Sequence, residues 1–395
     1  MDWQAVASYG LGSPTPGGHV AQIMWFENYQ PADAPVLGGK NASLGTLLGA
    51  GLPVPPGFAV SADCYRKALA DGGLTGQIDA LIAAVDPRDT ASVAAAGERA
   101  RALIGALKVP ADLDGAIRDA YARLCQQHGG QQHGGEQYGG EQCGDGDLPV
   151  AVRSSATCED QPDASFAGEH DTYLWVRGGD AVVAHVLRCW ASLFTDRGIA
   201  YRLERGYRQH GAAMSVGVQQ MVRPRAAGVA FTLNPLNGDR SQIAIDASWG
   251  FGEAVVSGEV TPDNFLVDKV MGAITRRTIS AKTLEYRLTA ADTVTAVEVE
   301  AERQSVPCLT DDEIAAVARL ARRAEKHYKC PQDVEWAIDG AQAIDGAQSV
   351  LLLQSRPETV WSRRPRQAAA CNADPITSMV QTLLRPSHGT PDGGC

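Results

Sequence analysis

No apolar run in the sequence approaches the roughly 18 residues that span a bilayer, so a membrane-spanning helix is excluded. The opening MDWQAVASYG has neither the basic n-region nor the apolar core of a secretory signal. Bases are in deficit: 35 Lys and Arg stand against 46 Asp and Glu, a net charge of −11. That argues against a nucleic-acid partner bound over a broad surface, while leaving room for a local cationic pocket. No two of the nine cysteines form a CxxC pair, and their number is odd. The pattern reads as reduced thiols in a cytosolic protein, not as a disulfide framework or zinc site. What remains is an ordinary globular composition, 44% hydrophobic and 21% charged, over 395 residues. That length allows two or three lobes of about 100–200 residues each.

Residues 1–35 show little periodicity and read as a loosely ordered lead-in. From Val36 the character changes. Gly38-Gly39-Lys40 precedes Leu44, Leu47 and Leu48, which share one helical face. Gly51 closes that helix, and Pro53, Pro55 and Pro56 forbid its continuation. Lys40 is therefore expected on a glycine turn at a helix N-terminus. Residues 77–125 are alanine-rich and predict two or three helices. A Gln-Gln-His-Gly-Gly pentapeptide beginning at Gln126 recurs, decaying, as far as Asp145, and such glycine-rich repeats cannot bury a core. Val150-Ala151-Val152 predicts a short buried strand, and residues 181–205 a helix. Met214–Val222 and Gly228–Phe231 read as neighbouring strands, as do Ile243–Ala247 and Phe265–Val267. Thr310 followed by Glu313 is a capping box for a helix over 311–328. Strands are expected at 333–338 and 349–355. Between them Ala-Ile-Asp-Gly-Ala-Gln occurs twice, at 337–342 and 343–348, and reads as a duplicated turn. Beyond Trp361 the Arg/Pro/Gly-rich sequence predicts a disordered tail.

Four segments are too polar for core and too patterned for plain loop. Glycines, a helix start and Lys40 make a small anion cradle, although a surface lysine after a turn fits the same letters. Arg153 follows the buried strand, where open α/β folds bind ligands. The small residues Ala164 to Gly168 could close as a flap on phosphates; a polar connection would look alike. Ser248-Trp249-Gly250-Phe251-Gly252-Glu253 is a glycine-rich turn that presents an acid, or a hairpin corner. In Asp333-Val334-Glu335-Trp336-Ala337-Ile338 the period of two sets Asp333 and Glu335 on one face and the apolar residues on the other. Gln354 and Arg356 likewise share a face. Paired in a hairpin, these strands would gather Glu335, Gln354 and Arg356. Carboxylate and amide oxygens suit Mg²⁺, and arginine suits the charge on a transferring phosphoryl group.

Taken together, LGGKNASLG, VPPGFAV, AVRSSATCED, DASFAG, ASLFTDRGIAYR, SVGVQQMV, SWGFGEAVVSG, DVEWAID and QSRPETVW resemble one family. It is the N-terminal ATP-binding domain of phosphoenolpyruvate synthase, shared by pyruvate phosphate dikinase and rifampicin phosphotransferase. The resemblance runs in order from Val36 to Trp361. It implies an α+β ATP-grasp fold, two lobes enclosing a nucleotide cleft. The first lobe would cover 36–205, with a low-complexity loop at 126–147, and the second 206–361, leaving 362–395 as tail. By resemblance, the ATP-contacting positions fall on Lys40, Arg153, Gly168, Thr172, Gln219, Glu335, Gln354 and Arg356. Glu253 and Asp333 match further polar positions, and the strand end Gln219-Gln220-Met221-Val222 would line the adenine slot.

The implied cofactors are ATP and Mg²⁺, the metal on Glu335 and Gln354. Lys40, Arg153 and Arg356 would carry the catalytic charge stabilisation. Family enzymes split ATP to AMP and phosphate through a histidine that attacks the β-phosphorus and then swings to a second site. That histidine lies in a Gly-Gly-x-Thr-(Ser/Cys)-His-Ala-Ala motif, and no histidine here has the setting; His388 in Pro386-Ser387-His388-Gly389 does not supply it. The expectation is therefore a cytoplasmic ATP-binding subunit. Its partner would carry the swivelling phosphohistidine domain and the acceptor site, as in phenylphosphate synthase, with phenol or another aromatic alcohol as acceptor. A split phosphoenolpyruvate synthase or antibiotic phosphotransferase would read the same way. A self-contained ATP-grasp ligase releasing ADP, and a non-catalytic nucleotide sensor, are the other classes.

Overall fold

The computed structural model describes residues 22–128, 147–157, 171–204, 212–289, 293–340 and 350–362. Helices and strands are mixed and form two main sheets. The first sheet holds β1 (Ile23–Trp25), β2 (Gly57–Val60), β3 (Val150–Ala156), β4 (Thr172–Val176) and β5 (Met214–Gln220), in the order β1-β2-β5-β3-β4. The second holds β6 (Pro224–Phe231), β7 (Gln242–Trp249), β8 (Asp263–Asp268) and β9 (Ile274–Thr278). A two-stranded ribbon of β10 (Leu284–Leu288) and β11 (Val294–Glu298) follows. The closing hairpin of β12 (Gln332–Asp339) and β13 (Val350–Pro357) completes the second sheet, whose order is β13-β12-β6-β7-β8-β9. Chain contacts group residues 1–358 as one unit and 359–395 as another. Among the described residues, no helix is long and apolar enough to cross a membrane.

One core lies between the first sheet and the helices Ala62–Asp71, Thr75–Ala83, Thr90–Gly105, Ala111–His128 and Gly179–Ala191; Val150, Val152, Val216, Val218 and Trp190 are among its members. The other lies under the second sheet. There helix Asp311–Tyr328 presents Ile314, Val317, Leu320, Ala321 and Ala324 to Val334, Trp336 and Ile338 of β12. The predicted capping box starts this helix: Glu313 N donates to Thr310 Oγ1, and Thr310 N donates to Glu313 Oε2 at 2.7 Å. Such a cap contributes about 1 kcal/mol. The ribbon is anchored from beneath by a fully buried ion pair, Lys282 Nζ to Asp263 Oδ1 at 2.7 Å. Asp263 also accepts the N–H groups of Ser280 and Cys308, so its charge is well satisfied.

Several expectations change. Among the described residues, a strand at Ile23–Trp25 lies inside the segment expected as a lead-in. β5 pairs with β2 and β3, so it is not a neighbour of β6, and the chain passes from the first sheet to the second after Gln220. Helix Ala34–Gly49, from the expected first lobe, buries Leu37, Leu44 and Leu47 in the core of the second sheet. The helix expected over 181–205 is broken at Thr195, whose extended backbone ends one segment while its hydroxyl accepts the Gly198 N–H of the next. In the duplicated hexapeptide, Ala337-Ile338-Asp339 are strand and Ile338 is fully buried, so the first copy is not all turn. The second copy, the pentapeptide repeats from residue 129 to 146 and the C-terminal tail from 363 lie outside the described residues.

Candidate functional site

Glycine brings Lys40 to the first sheet. Gly38 has φ +66° and ψ 166°, which kinks the helix Ala34–Gly49 and starts a new helical run just before Lys40. A Cβ there would lie 2.5 Å from the Ser155 carbonyl oxygen on β3. The close approach is fastened from both sides of the kink: Ser155 Oγ donates to Leu37 O at 2.9 Å and accepts from Asn41 N at 3.3 Å. Asn41 Nδ2 donates to Ser215 Oγ of β5 at 2.9 Å. The expected glycine turn is therefore present, and it fixes the Lys40 backbone two residues along β3 from Arg153.

Arg153 lies in the middle of β3 and not beyond its end, because the strand continues through Ser154, Ser155 and Ala156 between β4 and β5. It faces Thr172 on β4 and Gly217 on β5. Its side chain, 15% exposed, crosses to the second sheet. Nη2 donates to Gln354 Oε1 at 2.6 Å and approaches Glu335 Oε2 at 3.4 Å; Nη1 donates to the Leu353 carbonyl at 2.8 Å and to Gln219 Oε1 at 3.3 Å. The hairpin geometry explains this reach. Glu335 stands directly opposite Gln354, and the register then slips so that Trp336 faces Leu352. Leu353 is the bulged residue, and its carbonyl is turned to Arg153; bulges commonly re-aim groups beside functional sites.

Arg356 shares that face, but it lies opposite Asp333, with Nε 3.4 Å from Asp333 Oδ2 and its side chain 44% exposed. Burial pushes the Asp333 carboxyl up to about 6; Arg356 opposes the shift, and the charges of Glu358 and Glu335 add to it. Asp333 Oδ1 is buried with no hydrogen-bond partner among the described residues. Glu253 begins the short helix Glu253–Val256 after the Gly250 turn. Burial raises its carboxyl above the ordinary range, Glu335 and Glu259 raise it further, and Arg153 draws it down. Gln219 is buried, its amide Nε2 donating to Pro55 O at 3.3 Å.

The predicted residues Arg153, Gln219, Glu335 and Gln354 thus meet at one point between the sheets, with Thr172 opposite Arg153 and Glu253 within the electrostatic reach of Arg153 and Glu335. Arg356 and Asp333 stand one pair further along the hairpin. Met221 follows β5 in an apolar cluster with Ala151, Trp175 and Phe251. Gly168 lies outside the described residues. Sequence reasoning did not single out Asn41, Ser155 or the Leu353 carbonyl. A buried Asn just after Lys40 was visible in the sequence, but only pairing across the sheet gives it a role.

The oxygen donors can be tested against a divalent cation. Glu335 and Gln354 offer a carboxylate and an amide oxygen on adjacent strands, and a guanidinium already sits on both. The orphaned Asp333 Oδ1 adds a buried acceptor on the same face. Among the described residues, no three His, Cys, Asp or Glu side chains are grouped to hold a metal unaided. This donor set fits Mg²⁺, which keeps waters and phosphate oxygens and takes one or two protein carboxylates.

Similarity to known proteins extends over most of the chain. Residues 34–374 match the family model described as pyruvate phosphate dikinase, AMP/ATP-binding domain. A probable phosphoenolpyruvate synthase of Methanocaldococcus jannaschii is 38% identical over 379 residues, covering 96% of this chain and 30% of that protein. The probable enzyme of Methanothermobacter thermautotrophicus is 41% identical over 340 residues, covering 86% of this chain and 46% of its own. The phosphoenolpyruvate synthase of Neisseria meningitidis serogroup B is 40% identical over 356 residues, with 86% and 42% covered. The chain thus spans less than half the length of each of these relatives. On the extent of these matches, the chain belongs to the family of the pyruvate phosphate dikinase AMP/ATP-binding domain.

Proposed function

We propose that the chain is an ATP-grasp module that binds Mg²⁺ and ATP between its two sheets and supplies the ATP half of a dikinase-type phosphotransferase. The carrying observation is Arg153: a nearly buried guanidinium that leaves β3 and ends on Glu335, Gln354 and the Leu353 carbonyl of the other sheet. A cation held among oxygen acceptors between two sheets is poised to exchange those partners for phosphate, which arginine binds in bidentate fashion. Gln219 and Met221 would line the base slot. Thr172 and Gly168 would contact the phosphates, and Glu253 would complete the polar wall. Glu335 and Gln354 would hold Mg²⁺, which supplies neutralisation of phosphate charge when bound. Lys40, Arg153 and Arg356 would stabilise the charge of the transferring phosphoryl.

In this reading a histidine of a partner subunit attacks the β-phosphorus of ATP and displaces AMP, water then releases the γ-phosphoryl as phosphate, and the β-phosphoryl left on the histidine passes to a small acceptor. Phenol or another aromatic alcohol is one acceptor class. The similarity to phosphoenolpyruvate synthases favours a second, pyruvate. Calorimetry with Mg²⁺ and a non-hydrolysable ATP analogue tests the common premise. One site is expected, weakened at least about tenfold by Glu335→Ala, the loss expected when one good charged contact is removed. No binding at millimolar analogue would refute the assignment.

A further inference from the structure

Trp175 occupies a conformation that its side chain disfavours. Its φ is +60°, inside β4, with the residue 5% exposed. Left-handed backbone at a bulky residue is a genuine outlier, costs of order 1–3 kcal/mol, and persists only where its surroundings enforce it. The strand register shows what it does. Val152 faces Tyr173, and Val150 faces Val176, so Leu174 and Trp175 together oppose the single residue Ala151. This is a β-bulge whose second residue, a tryptophan, has the positive φ that glycine most readily adopts.

The bulge changes the face to which Trp175 points. By simple alternation Tyr173 and Trp175 would share one face, and Thr172, Leu174 and Val176 the other. Tyr173 and Val176 in fact pack against the helix-covered core, whereas Leu174 and Trp175 both join Ala151, Met221 and Phe251. That second face is the one carrying the candidate site. Ala151 lies two residues from Arg153 on β3 and directly opposite Gln219 on β5. Trp175 is thereby turned out of the core and placed beside the Gln219–Met221 segment. Its ring meets Phe251 edge-on, centroids 6.2 Å apart, and carries the guanidinium groups of Arg223 and Arg177 at 5.2 and 5.7 Å. Met221 and Arg223 bracket the crossing from β5 to β6, so one ring touches both ends of the passage between sheets. From the other side, Phe251 N donates to Tyr286 O of the ribbon at 2.9 Å.

We infer that Trp175 is a positioning residue for the nucleotide base: its strained ring holds Met221 and the Phe251 turn as the apolar wall of the base slot, remote from the phosphate groups on Arg153. This rests on the nucleotide reading given above. The test compares full-length wild type with Trp175→Gly, Trp175→Leu and Trp175→Phe. Glycine releases the backbone strain and removes the ring; leucine keeps apolar bulk without a flat ring and serves if the glycine variant fails to fold; phenylalanine restores an aromatic wall. Calorimetry measures Kd for a non-hydrolysable ATP analogue and for inorganic tripolyphosphate, both with Mg²⁺. The glycine and leucine variants should lose about tenfold for the analogue, the scale of a lost aromatic contact. Tripolyphosphate affinity should stay within about twofold, and phenylalanine should recover most of the loss. Equal weakening of both ligands would make Trp175 a general scaffold residue and overturn the inference, as would unchanged analogue binding in both variants. If wild type binds neither ligand, the nucleotide reading itself falls and this inference with it.

Discussion

At the scale of single residues, the two arginines expected to serve the phosphates sit in different surroundings, and their substitutions should fail differently. Arg153 is nearly buried, with four acceptors drawn from both sheets, so removing it strands Gln354 and Glu335 and disturbs folding as well as binding. Arg356 is 44% exposed and pairs with Asp333, so Arg356→Ala should cost no more than about 1 kcal/mol of stability in urea denaturation. If Arg356 acts on the transition state, its loss should lower phosphoryl transfer by about 10²–10³ while ATP affinity changes little. Arg356→Lys should rescue poorly, because an ammonium lacks the planar fork. Rapid-quench formation of phosphohistidine on the partner, measured beside ATP affinity, decides this. Parallel loss of rate and affinity would make Arg356 a ground-state binder, and a near-wild-type alanine variant would remove it from the site.

At the scale of elements, Gly38 bears the most geometric demand. Its backbone combination is one that essentially only glycine adopts, and a Cβ would collide with Ser155 at 2.5 Å. Gly38→Ala should therefore destabilise the protein by about 1–3 kcal/mol and move the Lys40 turn away from β3. Thermal melts and ATP-analogue affinity should both fall; an alanine variant with wild-type melting would show that the helix can shift without loss. This element was legible in the sequence, because glycines before a helical apolar stripe have a local physical meaning. So was the helix from Asp311, whose cap is written three residues apart. Strand partners were not legible. Nothing near Met214 says that β5 joins β2 and β3, since pairing partners are set by contacts distant in sequence. The bulge at Trp175 was equally hidden: Thr-Tyr-Leu-Trp-Val reads as a regular strand, and only the register against β3 reveals the two-against-one count. The Glu335–Gln354 pairing was predicted from alternation, but the slip that turns the Leu353 carbonyl to Arg153 was not.

At the scale of the whole molecule, the question is whether the arrangement can complete a phosphoryl transfer unaided. Its cationic and acidic groups converge between two sheets, which suits binding ATP and stabilising charge. A nucleophile is a separate requirement. Among the described histidines, His185 is held by the Ala181 carbonyl at 2.7 Å and lies tilted against the ring of Tyr173, which packs against the helix-covered core. His327 meets Tyr328 edge-on in helix Asp311–Tyr328, and His128 ends another helix. None belongs to the Arg153–Gln219–Glu335–Gln354 group. The chain covers 30–46% of the three relatives compared. On the proposed function, in which a partner's histidine accepts the phosphoryl group, the purified chain is expected to bind ATP yet turn it over negligibly. Adding a subunit with a Thr-Ser-His or Thr-Cys-His swivelling domain should start release of AMP and phosphate, and ³²P label from the β-position of ATP should appear on that subunit's histidine. Changing that histidine to alanine should abolish the label while leaving ATP binding intact, which separates chemistry from recognition. Brisk ADP release by the isolated chain with a small carboxylic acid would instead assign an acyl-phosphate ligase, because that chemistry transfers the γ-phosphoryl and needs no histidine relay.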